Sequence, residues 1–184
     1  MYLKEKSLEN LIIDGENPYF SAVGTMLLSK DGKFLAAELG DPAVAEIPEG
    51  VEEIGPMAFE KIGSFTRVRF PATLKKIGEK AFAGTAVTKV EFPDSLESIG
   101  AQAFSYCRGL TSAEFCDGLK EIAPQAFEGC PIGEVYIPAS VAVLGNNSFL
   151  AISTYPGQIS QSFRIDSANT HLQTDGIALY TATE

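Results

Sequence analysis

One pattern recurs five times between Ile47 and Phe149, and it constrains the fold more than any other feature of the chain. The five copies read IPEGVEEIGPMAF, FPATLKKIGEKAF, FPDSLESIGAQAF, FCDGLKEIAPQAF and IPASVAVLGNNSF. Each copy ends in a phenylalanine, and the phenylalanines follow one another at intervals of 23, 22, 23 and 22 residues: Phe59, Phe82, Phe104, Phe127 and Phe149. A fixed period of this length is typical of a solenoid, in which each unit buries its apolar positions against its neighbours.

Each unit divides into two extended pieces separated by turns. The first piece alternates apolar and polar residues, as in Val68-Arg69-Phe70, and it ends at a turn that carries Pro, Asp or Gly. The second piece, such as residues 74–78, places Leu and Ile on one face and leads into a tight turn that holds an Ala-Phe pair. Because 22 residues are too few for a strand, a full helix and two loops, the repeat predicts short strands and turns with at most one helical turn.

The tight turn closes each unit and determines how the units stack. We expect Ala and Phe to point inward and the phenylalanines to stack along the solenoid axis. The glycine at the end of the second piece is expected to supply a positive backbone angle that other residues resist. This glycine occurs in four units, as Gly55, Gly78, Gly100 and Gly145. The fourth unit has Ala123 at this position and is an exception to the interpretation.

The segment ahead of the repeats has the signature of a β-hairpin. Asp31-Gly32 stands between the apolar runs 26–28 and 34–35, and Asp-Gly between such runs is a strong hairpin signal. We expect the hairpin module, from Leu11 to Leu35, to cap the N-terminal end of the stack. A cap is needed because the uncovered end of a solenoid exposes core residues and strand edges.

The C-terminal segment echoes this module at a constant offset of 152 residues. The sequence Ile-Asp-Ser-Ala-Asn at 165–169 corresponds to Ile-Asp-Gly-Glu-Asn at 13–17. The correspondence predicts a second module that begins near Phe163 and stops at Glu184, as if cut from a longer chain. The predicted division is an N-terminal hairpin and capping module, a solenoid of about five repeats and the start of a second, truncated module: residues 1–46, 47–163 and 164–184.

Charge and hydropathy argue against several classes of partner. The 184 residues carry a net charge of −10, and an acidic chain repels both nucleic-acid phosphates and anionic membrane surfaces. No apolar run approaches the length of about 18 residues that a membrane span requires, so no span is predicted. The N-terminus lacks the apolar centre of a signal peptide, so the chain is either not exported or has lost its signal.

Alternation in the first extended pieces predicts one polar face, because apolar residues such as Val68, Val90 and Val135 point into the core. Two ladders of side chains would cross this face, with one residue from each strand. The first ladder consists of Glu46, Arg69, Glu91, Glu114 and Tyr136, and the second of Arg67, Lys89, Ser112 and Glu134. Solenoids bind partners through extended faces of this kind. The mixed charges also fit ordinary polar cover, and that interpretation is favoured over a specific binding role.

Few residues in the chain have the pattern of a reactive centre. Cys107 and Cys130 occupy equivalent places in neighbouring units. They are a redox pair, half of a metal site or two buried thiols, and the lack of a Cys-x-x-Cys spacing favours buried thiols. The single histidine, His171, falls where the N-terminal copy has Tyr19, and a position that tyrosine also fills is a poor place for a general base. No catalytic triad is therefore predicted.

Acidic and aromatic residues provide the remaining candidates. Asp14, Glu16 and Asp31 are candidate calcium ligands, but turn formation accounts for acidic residues there without a metal and is preferred. No metal or cofactor site is predicted. Three tyrosines are a weaker indication of a contact patch: Tyr106, Tyr136 and Tyr155.

The consensus I-P-x-x-[VL]-x-x-I-G-x-x-A-F-x-x-C, repeated every 22 or 23 residues, resembles the BspA-type leucine-rich repeat of bacterial surface and secreted proteins. The resemblance covers residues 47–149, and five consecutive units make it specific. The consensus cysteine is present only as Cys107 and Cys130, while Cys116 replaces the strand-end proline of the fourth unit. The resemblance implies a mostly β solenoid, a leucine-rich-repeat right-handed superhelix of 22–23-residue units with short parallel strands and little helix.

The resemblance also implies an extracellular or cell-surface location, a role in adhesion, and neither catalytic residues nor a cofactor. The leading hypothesis is a non-enzymatic scaffold that binds a host or matrix protein, or a glycan, through the sheet face. The alternatives are a purely structural spacer within a larger surface protein and a carbohydrate-binding module. A hydrolase with paired carboxylates is disfavoured, because a continuous sheet offers no cleft for such a pair.

Overall fold

The computed structural model of the chain describes residues 8–150, 162–174 and 179–181, and within these ranges it shows a β solenoid without helices. An antiparallel meander comes first and consists of β1 (Phe20–Val23), β2 (Met26–Ser29) and β3 (Phe34–Glu38). Each coil then adds two short strands. The first strands of the coils, with the equivalent β14, are β4 (Ala45–Glu46), β6 (Val68–Arg69), β8 (Lys89–Glu91), β10 (Ser112–Glu114), β12 (Glu134–Ile137) and β14 (Ser162–Ile165). The second strands are β5 (Glu53–Ile54), β7 (Lys76–Ile77), β9 (Ser98–Ile99), β11 (Glu121–Ile122) and β13 (Val143–Leu144).

The predicted hairpin at Asp31-Gly32 is confirmed, because β2 and β3 pair antiparallel across this turn. Gly32 adopts a φ of 73°, a left-handed conformation that glycine tolerates. The Asp31 carboxylate fastens the turn by accepting hydrogen bonds from the Ser29 hydroxyl and the Lys33 amide. β3 then pairs in parallel with β5, so the meander continues directly into the solenoid.

The second strands and the meander form one unbroken sheet in the order β1-β2-β3-β5-β7-β9-β11-β13. Every pair from β3 onward is parallel, and the register aligns one inward-pointing residue per coil: Ile54, Ile77, Ile99, Ile122 and Leu144. The four isoleucines are fully buried. The apolar face predicted for the second extended piece is therefore confirmed.

The first strands pair only in twos within the described chain: β4 with β6, β8 with β10 and β12 with β14. The pairing alternates with the length of the preceding turn. A first strand pairs with the coil before it where its inward residue lies nine positions after the axial phenylalanine, as Val68 does after Phe59. Where the separation is eight positions, as from Phe82 to Val90, the strand does not pair with the coil before it. The side-chain ladders predicted for these strands are therefore interrupted twice, between β6 and β8 and between β10 and β12.

Five phenylalanines form a single file along the solenoid axis, as the repeat predicts. Successive ring centroids lie 4.9, 5.1, 5.3 and 5.3 Å apart, and adjacent ring planes diverge by at most 8°: Phe59, Phe82, Phe104, Phe127 and Phe149. A second file flanks the first and meets it edge to face: Phe70, Phe92 and Phe115. Aromatic pairs of these geometries contribute about 0.5–1.5 kcal/mol each beyond the burial of their area. The two files therefore join each coil to the next.

The prediction that the repeat glycines supply positive backbone angles is wrong. The residue two positions further along is left-handed in every turn, has a φ between 54° and 60°, and is never glycine: Met57, Lys80, Gln102, Gln125 and Asn147. A second left-handed residue follows four positions later in four of these turns, and two of the four are glycines: Lys61, Gly84, Tyr106 and Gly129. The glycines permit close approach instead. A Cβ atom at Gly100 would lie 2.8 Å from the backbone nitrogen of Glu79 and from the carbonyl carbon of Gly78. Neighbouring coils thus touch backbone to backbone, and a side chain at this position crowds the preceding coil.

Candidate binding face

The nine residues predicted for the polar face all lie on the side of the solenoid that the first strands form, called the first-strand face below. Eight of the nine are exposed, and Ser112 is half-buried. Strand register places Glu46 beside Arg69 and Lys89 beside Ser112, as the two ladders require. The structure therefore brings the predicted residues to one surface.

Two open depressions mark the places where adjacent first strands do not pair. The first has a volume of about 680 Å³, lies between β6 and β8, and has the charged lining residues Arg67, Arg69, Lys89 and Glu91. The second has a volume of about 370 Å³, lies between β10 and β12, and is lined in part by Ser112, Glu114, Glu134 and Tyr136. Glu46 is the one predicted face residue that lines neither depression.

The two depressions differ in charge. Three basic side chains and one acidic side chain line the first, whereas two acidic side chains and no basic one line the second. The depressions lie two coils apart, which corresponds to about 10 Å at the usual spacing of strands. A chain with a net charge of −10 thus presents a locally basic depression next to an acidic one.

Ion pairs within the first-strand face join many of its charges. Arg69 contacts Glu46 at 2.6 Å, and the Lys89 ammonium contacts Glu91 and Glu114 at 2.8 Å each. The hydrogen bonds to Glu114 and Glu91 raise the pKa of Lys89 above its usual value. This side chain is therefore fully charged at neutral pH and holds two neighbouring strands together.

Arg67 does not take part in these contacts. Its side chain is exposed, lines the first depression and makes no ion pair with any residue that the structure describes. A guanidinium presents five donors in a planar fork that matches the geometry of a carboxylate. Arg67 is therefore the cation of this face that is most available to a partner.

Two C-terminal residues contact side chains that line the second depression, and sequence reasoning missed both. The Tyr136 hydroxyl donates a hydrogen bond of 2.6 Å to Asp166, and Arg164 contacts Glu134 at 3.5 Å. The hydrogen bond between Tyr136 and Asp166 raises the pKa of the tyrosine and lowers the pKa of the aspartate. Both partners lie 30 residues from the residues they contact, outside the 22–23-residue period, so the period contains no signal for them.

The face formed by the second strands, called the second-strand face below, carries a regular ladder of charges that sequence reasoning also missed. Its members alternate in sign: Lys33, Glu52, Lys75, Glu97 and Lys120. Glu52 bridges Lys33 and Lys75 at 2.7 and 2.6 Å, which lowers the pKa of its carboxyl to about 2. Lys120 contacts Glu97 at 2.8 Å. The recurrence of charge at the repeat interval was the available signal. Because these charges satisfy one another, this face is less suited than the first-strand face to a charged partner.

The thiol pair is buried and hydrogen bonded. Cys107 and Cys130 donate to the backbone carbonyls of Phe82 and Phe104, at 3.1 and 3.0 Å. Contact with Cys107, together with burial, raises the pKa of the Cys130 thiol. Both thiols are buried, and a thiol that solvent cannot reach is inaccessible to a substrate or a metal ion. The geometry therefore favours buried thiols over a redox pair or half of a metal site.

The other reactive-centre candidates have structural contacts. The Asp14 carboxylate accepts a hydrogen bond from the Glu16 amide at 2.8 Å, so it fastens a turn as Asp31 does. The described residues contain no cluster of three or more side chains suited to a metal ion. His171 is exposed, and its backbone amide donates to Asn169. Tyr106 lies in the turn after the axial phenylalanine of its coil rather than on the first-strand face. Tyr155 lies outside the described residues.

Comparison with solved structures identifies the same architecture in bacterial proteins. The pneumococcal vaccine antigen PcpA is 22% identical with a TM-score of 0.72, over 89% of this chain and 43% of that chain. The T. pallidum leucine rich repeat protein TpLRR is 26% identical with a TM-score of 0.64, over 75% of this chain and 67% of that one. A leucine rich cell surface protein from Faecalibacterium prausnitzii is 19% identical with a TM-score of 0.57, over 92% and 60%. The chain therefore spans less than half of PcpA and about two thirds of TpLRR.

Sequence comparison gives the family. No curated protein sequence matches the chain. Within the described segments, no helix has the length and apolar character needed to cross a bilayer. The family profile of the BspA type leucine rich repeat region matches residues 43–155, in six copies. Because this match covers more than half of the 184 residues and the coils follow its period, the chain belongs to the BspA-type leucine-rich repeat family.

Proposed function

We propose that the chain is a non-enzymatic binding protein that contacts a partner protein through its first-strand face. The observation that carries this proposal is the pair of oppositely charged depressions, which eight of the nine predicted face residues line. A partner with acidic and basic groups about 10 Å apart would match both depressions at once. Complementary charge of this kind orients two proteins and speeds their association.

The gap between β6 and β8 suits the first depression to hydrogen bonding. Thr88 N donates to Thr66 O at 3.1 Å where the two coils approach the gap, but no ladder follows between the strands themselves in the described chain. Backbone donors and acceptors along the gap are therefore open to solvent or to a ligand. Together with Arg67, they offer a partner both backbone and charged contacts.

The proposed location is outside the cell, in a secreted or surface-bound form. Support comes from the similar structures, which include a vaccine antigen and a cell surface protein. A host or matrix protein is the class of partner that the face would meet in that location.

A binding role without catalysis fits the chemistry of the face. Hydrogen bonding to Lys89 lowers the pKa of Glu91, so this carboxylate stays ionised and is a poor proton donor. Both depressions are broadly open to water. Enzymes generally close their reacting groups away from water, which strengthens the electrostatic interactions at the site.

A purely structural spacer is the second candidate, and the ion pairs favour it. Arg69 and Lys89 already have acidic partners within the face, as expected for ordinary solvated cover. Under this hypothesis, the removal of face side chains changes no binding activity.

Binding to cultured epithelial cells, matrix proteins and a glycan panel distinguishes these functions. One triple variant removes a cation, an anion and an aromatic ring from the first-strand face: Arg67→Ala, Glu91→Ala and Tyr136→Ala. A matched control removes a cation, an anion and an exposed apolar side chain from the second-strand face: Lys75→Ala, Glu97→Ala and Val143→Ala.

The proposal expects the wild-type chain and the control variant to bind a protein ligand equally, and the first-strand variant to bind at least about tenfold more weakly. Equal binding by all three chains would exclude the first-strand face. Binding to glycans alone would support a carbohydrate-binding module. Binding to no member of the panel would support the spacer.

A further inference from the structure

The two terminal modules make the same hydrogen bonds at equivalent residues, which lie 152 positions apart in the sequence. Asn17 Oδ1 accepts the amides of Tyr19 and Phe20 at 2.9 Å, and Asn169 Oδ1 accepts the amides of the two equivalent residues at 2.8 and 2.9 Å. The strand pairs also share one register, because Phe20 faces Ser29 and Leu172 faces Thr181. The module therefore folds in the same way in both places.

The C-terminal copy is docked on the last coil of the solenoid. β14 pairs in parallel with β12, and the amides of Ser162 and Asp166 donate to Gly133 O and Ile137 O at 2.9 Å each. The side-chain nitrogen of Asn169 donates to Pro138 O and Val141 O, also at 2.9 Å. Phe163 and Ile165 pack against the core. The Asn169 side chain thus stabilises its own module through Oδ1 and binds the module to the last coil through Nδ2.

The N-terminal copy leaves the same docking groups unused. The Nδ2 of Asn17 has no hydrogen-bond partner among the described residues. Residues 10–13, which correspond to β14, pair with no strand in the described chain. Leu11 and Ile13, which take the places of Phe163 and Ile165, are half-buried as those residues are, and Ile12 is 85% exposed. This edge has the backbone and side-chain groups that seat its C-terminal copy, but no coil formed by the described residues covers it.

We propose that the edge formed by residues 10–17 is a docking surface for a terminal coil of another BspA-type solenoid block. The coil would present a first strand in parallel to residues 10–13 and the two carbonyls of a Pro-x-x-Val turn to Asn17 Nδ2. Asp14 would accept a hydroxyl of that strand, as Asp166 accepts Tyr136. The inference does not depend on the proposed function, because it concerns a different surface and a different partner.

The module also specifies one side chain of its partner coil. Ile12 stands where Arg164 reaches Glu134 in the C-terminal copy. A carboxylate opposite Ile12 would lose its cation and part of its hydration. The coil that fits therefore carries an apolar or neutral residue at the position equivalent to Glu134.

A tandem chain tests the inference by supplying the coil. Residues 1–159, carrying Glu134→Gln so that no carboxylate faces Ile12, are followed by residues 8–184, so that the N-terminal module of the second copy takes the place of residues 160–184 of the first. Hydrogen exchange is measured on the amides of Asn10 and Asp14, which are the counterparts of Ser162 and Asp166. In the single chain both amides are expected to exchange rapidly. In the tandem they are expected to be as strongly protected as Ser162 and Asp166 are in the single chain.

Asn17→Asp in the second copy provides the energetic readout, because aspartate keeps the Oδ1 acceptor but lacks the Nδ2 donor. It is expected to lower the urea midpoint of the tandem, and Asn169→Asp is expected to do the same in the single chain. Asn17→Asp in the single chain is the control and is expected to leave the midpoint unchanged. Rapid exchange at Asn10 and Asp14 in the tandem that keeps Asn17 would overturn the proposal, and so would two independent unfolding transitions insensitive to Asn17→Asp.

Discussion

The rings of Phe104 and Phe127 lie parallel, with centroids 5.3 Å apart and planes within 1° of each other. Both side chains are fully buried, and Phe104 also stacks on Phe82 from the preceding coil at 5.1 Å. Each ring in the middle of the file thus belongs to two coil-to-coil contacts at once. Since each coil of a solenoid contacts only its neighbours, the stability of the whole stack depends on such shared residues.

Replacement of a central ring is therefore expected to weaken the stack severely. Phe104→Ala should lower the free energy of unfolding by about 3–5 kcal/mol, because it creates a cavity and removes two stacked contacts. Urea denaturation followed by circular dichroism measures the change. Phe20→Ala is the control, since Phe20 is 42% exposed, and it should cost much less. Equal losses from the two substitutions would contradict the role of the axial file.

Because the backbones of successive coils touch at the repeat glycines, even a methyl group at such a position is expected to lower the free energy of unfolding. Gly100→Ala should destabilise the chain by about 1–3 kcal/mol, because the new methyl group meets backbone atoms that cannot rotate away. Ala123 at the equivalent place in the next coil indicates that such a variant still folds. Gly63→Ala is the matched control, since a Cβ atom there has no neighbour within 4 Å. Thermal unfolding that is equally affected by both changes would show that Gly100 is not needed for close approach.

The left-handed turn residues offer a route to a more stable chain. Lys80 has a φ of 54°, a conformation that most side chains resist and asparagine tolerates. Lys80→Asn should raise the free energy of unfolding by several tenths of a kcal/mol, up to ~1 kcal/mol. Lys80→Val should lower it, because a β-branched residue is strained there. Urea midpoints measure both variants, and the same direction of change in the two would refute the strain argument.

The features that follow from the period alone could be predicted from the sequence. Side chains at equivalent positions of successive coils meet about one strand spacing apart whatever the rest of the chain does. This is why the file through Phe82 and the inward row through Ile77 follow from counting residues. The alternation of apolar and polar residues likewise predicts the members of the polar face, although not their contacts.

The remaining features depend on distances that the period does not contain. A separation of eight or nine positions from the axial phenylalanine decides whether the strand of Val90 or Val68 pairs with the coil before it, and the sequence shows this difference only as an interval of 22 or 23. Glycine is equally compatible with a positive φ and with close approach, so Gly100 could not be assigned to either. Arg164 and Asp166 reach the face from beyond the repeat, where residue counting no longer applies.

Low pH is expected to destabilise the fold through protonation of Glu52 on the second-strand face. This carboxylate lies between Lys33 and Lys75, and its hydrogen bonds to them lower its pKa from 4.5 to about 2. Because the pKa is lower in the folded chain, the ionised carboxylate stabilises the fold above about pH 4.5, and this contribution is lost as the pH falls toward about 2. The difference in urea midpoint between the wild-type chain and Glu52→Gln should therefore shrink steadily between pH 5 and pH 2. Glu121→Gln is the control, since Glu121 makes no ion pair within the described residues. A difference between wild type and Glu52→Gln that stays constant over this range would contradict the bridging role of Glu52.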